Sequence, residues 1–181
     1  MKTQTIILPL MAEFSIKEEI EMAQSVINIV KHAVAGSTRL TATKGFGGHG
    51  PVDIKISKDL DNGSIVGKGD NISGQVFAMA APTTLTGKIL KEKAANGNFY
   101  VEVLTAANAY LVLTTPTTYY DYTNAMRAES TFYNAKDDIV RAYPLFPGDI
   151  FELSAEGFDG DPAVEASVTV DTSKYQVKIS A

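Results

Sequence analysis

Two hydrophobic periods divide the chain. Ile16, Ile20, Ala23, Ile27, Val30 and Val34 recur at alternating steps of four and three, the stripe of an amphipathic helix. Met22, Val26, Ile29 and Ala33 widen that stripe. Ser15 followed by Glu18 makes a capping box, and Glu18, Glu19 and Glu21 set negative charge near the positive end of the helix dipole. Gly36 then stands as a C-terminal stop. The spacing therefore predicts one helix over residues 15–35. A lone helix does not hold itself in water, so its apolar face must pack on the chain's own sheet, the favoured solution, or on a neighbouring subunit.

From Val52 onward the period becomes two. Val52–Ile56, Phe99–Val103, Val164–Val170 and Tyr175–Ile179 alternate apolar with polar residues. Gln75–Ala80, Thr84–Leu90, Tyr110–Leu113, Ile139–Tyr143 and Ile150–Ser154 are further short strands. Asp61-Asn62-Gly63, Asn96-Gly97, Pro147-Gly148-Asp149 and Gly157–Pro162 supply the turns between them. Many short strands at this spacing predict a mainly β fold, an antiparallel β-barrel or β-sandwich. Alternation leaves one face wet, which argues against a parallel α/β sheet. The stretch 114–136 is less regular and reads as a long excursion. The predicted organisation is an N-terminal arm, helix and Gly-rich hinge over residues 1–50, then a β domain over 51–181. The arm, with Ile6, Ile7, Leu8 and Leu10, reads as an extended segment or edge strand. It contains Pro9 and leads into an acidic helix without a cleavage signature, so a signal peptide is disfavoured.

Composition narrows the chemistry. The 181 residues include no cysteine, which removes thiolate zinc sites and Cys nucleophiles. The net charge is −5 and the basic residues are scattered, so a nucleic-acid partner is not expected. No apolar run is long enough to span a bilayer as a helix. There are two histidines, His32 and His49. His32, near the predicted helix end, reads as a dipole-compensating or surface residue. His49 lies in Gly45–Gly50, which formally matches G-x-G-x-x-G, but a strand rather than a helix follows, so no helix N-terminus is there to receive a phosphate. Asp59 with Asp61, Asp137 with Asp138, and Asp159 with Asp161 offer oxygen ligands for calcium, although Asp is also an ordinary turn former. Neither catalytic residues nor a cofactor or metal is expected. Tyr119, Tyr120, Tyr122, Tyr133 and Tyr143, with Phe132 and Phe146, form an aromatic group suited to a core or to a protein interface.

Three stretches carry a resemblance. Asp59–Val66, Tyr110–Pro116 with Tyr119–Tyr122, and Phe132–Tyr143 with Gly148–Ser154 follow one another in an order that is similar to the capsid decoration, or auxiliary head, proteins of tailed bacteriophages. The resemblance spans roughly residues 59–160 and includes no catalytic motif. It implies a non-enzymatic virion protein, made in the host cytoplasm. It would bind the major capsid protein on the outer lattice and associate with its own copies as a homo-oligomer, a trimer being one such arrangement. Ile6, Ile7, Leu8 and Leu10, together with Tyr119, Tyr120 and Tyr122, are the expected contact residues. The arm would add a strand to a neighbour's sheet. The competing readings are a phage tail, neck or baseplate component, and a β-sandwich carbohydrate-binding module.

Overall fold

Strands that alternate must bury one face, whereas the runs Ile65-Val66 and Leu111-Val112-Leu113 must bury two. The computed structural model describes residues 30–36, 50–116 and 127–180, and it meets both demands. Its strands are β1 (Val52–Lys55), β2 (Ile65–Ser73), β3 (Val76–Ala80), β4 (Thr84–Lys93), β5 (Phe99–Ala107), β6 (Tyr110–Val112), β7 (Ile139–Pro144), β8 (Ile150–Leu153), β9 (Phe158–Asp159), β10 (Ser167–Asp171) and β11 (Gln176–Ile179). Strands β1-β3-β2-β6-β7 close into a barrel in that order, and β8-β5-β4-β10-β11-β9 form a six-stranded sheet. The fold is mainly β, with a barrel and an added sheet. By internal contacts the chain separates into Met1–Val30, of which only Val30 is described, and Lys31–Ala181.

Two cores result. Ile54, Ile56, Leu60, Val66, Val112, Val140 and Ala142 fill one, drawing in Met79, Tyr110 and Tyr175. In the second, Ile65, Leu111 and Leu113 meet Leu85, Ile89, Val101, Val103, Phe151, Leu153, Val168 and Val177 of the sheet. Adjacent residues of β2 (Ile65, Val66) and of β6 (Leu111, Val112) thus point into different cores. That explains why these segments are continuously apolar while β4, β5 and β7 alternate. The two bodies are also tied by Tyr175, just before β11. Its carbonyl accepts the Ile65 N–H at 2.8 Å, and its side chain packs on the first core.

The structure corrects several expectations. The pairing is not wholly antiparallel: β1 runs parallel to β3, and β9 parallel to β11. The strand expected from Val164 begins at Ser167, because Glu165 has φ 64; Val164 and Glu165 form a turn whose ends return to Ile89 through Glu165 N–H to Ile89 O and Ile89 N–H to Ala166 O, both 2.9 Å. Strand β2 reaches Ser73 through Gly67, Gly69, Asp70 and Asn71, residues poor in strand propensity that pairing with β3 overrides. The helix expected over residues 15–35 does not extend through its last turns. Lys31–Ala35 are extended, and Ala35 bridges Leu153 antiparallel. Ala33 and Ala35 are buried while their neighbours are not, the period of a strand. Sheet pairing outweighs the helix propensity of alanine here. Residues 15–29, including the capping box, lie outside the described residues.

The turn from β10 to β11 is held by one carboxylate. Asp171 Oδ1 accepts the Ser173 hydroxyl at 2.6 Å, the Ser173 N–H at 2.7 Å and the Lys174 N–H at 2.9 Å. The Ser173 hydroxyl, then the backbone donors, pull its pKa down to about 2 from an ordinary 3.8. Because the folded value lies below the unfolded one, this carboxylate's contribution is complete above pH 3.8 and is lost as pH falls to about 2. Between those limits Asp171→Asn will show a shallower fall in melting temperature than the parent chain; equal slopes would remove Asp171 from the account. Leu111→Ala will destabilise the fold by about 2–5 kcal/mol, measured by urea unfolding, because it opens space between the sheet and the barrel.

Candidate functional site

The richest convergence of chain segments is the turn Leu60-Asp61-Asn62-Gly63 that leads into β2. Asp and Asn favour such turns because their side chains bond nearby backbone. Here those side chains instead reach segments far away in sequence. Leu60 exchanges both backbone hydrogen bonds with Asn134, at 2.9 and 2.7 Å. The buried Asn134 amide also donates to Leu60 O at 3.1 Å. Asn62 pairs with Thr114 in both directions: its Nδ2 donates to Thr114 O at 2.8 Å, and its Oδ1 accepts Thr114 N–H at 3.0 Å. The turn therefore holds chain on both sides of residues 117–126, the segment containing Tyr119, Tyr120 and Tyr122.

Asp61 holds the N-terminal strand. One carboxylate oxygen accepts from His32 Nδ1 at 2.8 Å, the other from Ala33 N–H at 2.9 Å. The His32 ring stacks on Tyr133 with centroids 5.0 Å apart, and the His32 N–H donates to Ser130 O at 2.8 Å. Residues 34–36 then extend the edge of β8. Ser154 N–H donates to Val34 O, Gly36 N–H to Glu152 O, and Val34 N–H to the Ser154 hydroxyl. Two close approaches shape this seat. Gly63 has φ +90, and a Cβ on it would lie 2.3 Å from Leu153 Cδ1 and 3.3 Å from Ala35 Cβ. A Cβ on Gly36 would lie 2.9 Å from Glu152 Oε2. Glu152 is itself buried and accepts from the Asn96 and Asn98 amides at 2.7 and 2.8 Å.

The electrostatics favour this seat. The Glu156 carboxyl is held below its ordinary value by its own backbone N–H, by the Ser154 hydroxyl and, more weakly, by the Lys31 charge. Chemically the arrangement holds chain segments together by charge-assisted hydrogen bonds. Among the described residues no three His, Cys, Asp or Glu side chains converge as a metal site requires.

No known protein family, curated protein or solved structure matches the chain.

Five of the six carboxylates read from sequence as calcium candidates have protein partners. Asp59 accepts Lys136 N–H at 2.7 Å, Asp61 binds His32 and Ala33, and Asp138 accepts Ala135 N–H at 3.1 Å. Asp137 lies 3.8 Å from Lys55, and Asp159 lies 2.6 Å from Lys174. His32, placed by the sequence at a helix end, is instead the fastener of an added strand. The expected contact residues Ile6, Ile7, Leu8, Leu10, Tyr119, Tyr120 and Tyr122 all lie outside the described residues, as does His49. Of the other aromatics, Tyr143 is half-buried against the larger core, whereas Tyr133 is exposed where it stacks on His32.

Asp61→Ala will remove both acceptors of the N-terminal strand. It will lower stability by roughly 1–3 kcal/mol and speed hydrogen exchange at Ala33–Gly36 while the β-sheet circular dichroism stays unchanged. Unaltered exchange at those amides would show that the strand is held without the carboxylate.

Proposed function

We propose that the protein is a virion structural protein of a tailed bacteriophage, binding the outer capsid lattice and stabilising it as a decoration protein. The observation that carries this reading is the convergence at Leu60–Gly63. There, one turn anchors the N-terminal strand through Asp61 and the flanks of the tyrosine-bearing segment through Asn62 and Leu60. The turn thus holds the chain at residues 32–33 and at Thr114 and Asn134, which flank residues 117–126. The order of the three resembling stretches supports the same reading. So does the mode of attachment of residues 34–36, which extend a sheet edge through backbone hydrogen bonds, the same physics by which an arm grips a neighbour.

Such a protein works by repeated area rather than by bond chemistry. Each copy contributes a modest contact with the major capsid protein and with adjacent copies, and the lattice multiplies it.

Counting this chain against the major capsid protein by quantitative mass spectrometry of purified particles tests the reading. A ratio near unity, or a fixed fraction such as about one to three, is expected from lattice repetition. A handful of copies per particle would move the protein to the tail, neck or baseplate, and absence from particles would overturn the proposal. Deleting Met1–Ala12 will weaken attachment to capsids while leaving the β domain folded; undiminished attachment would remove the arm from the mechanism.

A further inference from the structure

Beside the Leu60–Gly63 turn is a cavity of about 10 Å³, walled by the strand Ala33 to Ala35, by Asn62, by Thr114 and Pro116, and by Glu129. Thr114 Oγ1 is the one buried side-chain oxygen or nitrogen among the described residues that has no hydrogen-bond partner. An unpaired buried hydroxyl is costly. The backbone on either side of that hydroxyl is already committed, because Thr114 N–H and C=O are both taken by Asn62. Rotation of the side chain is therefore the only freedom left to it locally. Glu129, Asn62 and Ala33–Ala35 stand in the same walls.

We propose that this cavity is the site of one structural water molecule, which joins the N-terminal strand to the segment leaving Thr114. The volume decides the class of ligand. A cavity needs roughly 10–15 Å³ to admit one water, so about 10 Å³ suits a single molecule and excludes an organic ligand. The lining decides its stability, because a buried water makes about three hydrogen bonds and the wall includes the unpaired Thr114 hydroxyl, Glu129 and the backbone of Ala33–Ala35. The water satisfies Thr114 Oγ1 and adds a fourth tie to those made by Leu60, Asp61 and Asn62. The inference is independent of the capsid reading.

The test uses the full chain. Magnetisation transfer from long-lived water to amide protons is expected at Ala33–Ala35 and Thr114 in the parent. Thr114→Val keeps the side-chain shape and removes the hydroxyl. It will abolish that transfer and speed hydrogen exchange at Ala33–Gly36 roughly tenfold, the scale of one lost hydrogen bond. Thr114→Ser keeps the hydroxyl and will stay within about twofold of the parent, since its water-mediated bond survives. Absence of water transfer in the parent overturns the proposal. So does a valine variant whose strand is protected as well as the parent's, since a dry cavity favours the methyl. Should Thr114→Val fail to fold, the parent's water transfer and the serine variant decide the matter.

Discussion

The fold depends on two short stretches that have no wet face, Ile65-Val66 at the start of β2 and Leu111-Val112 in β6. At β2 and β6, consecutive side chains alternate between two dry compartments: Ile65 and Leu111 face the sheet, Val66 and Val112 the other core. A strand buried on both sides cannot slip by one residue without exchanging the contents of both cores. The register of the barrel and the seating of the six-stranded sheet are therefore set by the same few residues. Tyr175 reinforces this from the other direction, since its backbone bonds β2 while its ring packs among barrel residues.

The N-terminal strand is subordinate to that frame. It inserts only two small side chains, Ala33 and Ala35, into the body. Its attachment otherwise rests on backbone pairing with β8 and on the Asp61 carboxylate. The strand also does a protective job, because an uncovered β8 edge would invite pairing with other chains. At the opposite end of the sheet, β9 has only two paired residues and so offers little template.

How legible this was from the sequence follows from which forces decide each element. Strands with one wet face, such as β5 and β11, carry their own alternation and are found within a residue or a few of their bounds. Strand β2 hides because Gly67, Gly69, Asp70 and Asn71 have no strand signature, and only their partners make them one. The extended conformation of Lys31–Ala35 hides for the complementary reason: Val30 and Val34 continue a helical stripe, and the sheet edge that overrules it lies over a hundred residues away. The Asp61-Asn62-Gly63 turn was visible as a turn, while its purpose was not. Its bonds to His32, Thr114 and Asn134 cross 29, 52 and 72 positions, and nothing in a single chain's local pattern couples residues at such distances.

The seat of the N-terminal strand checks its alignment in two independent ways. The single-residue displacement that brings Val34 to the place of Ala35 would set a larger side chain beside Gly63 and Leu153, where there is no room for a Cβ on residue 63; bulk alone rejects that error. Displacement by two residues would escape the size criterion, since Ala33 would replace Ala35 with an identical methyl. It would, however, draw His32 away from Asp61 and Tyr133, leaving a carboxylate unmatched and an aromatic face bare. Shape thus excludes the first shift and the His32–Asp61 hydrogen bond the second, so two alanines spaced by one residue, poor in information by themselves, are seated by their neighbours.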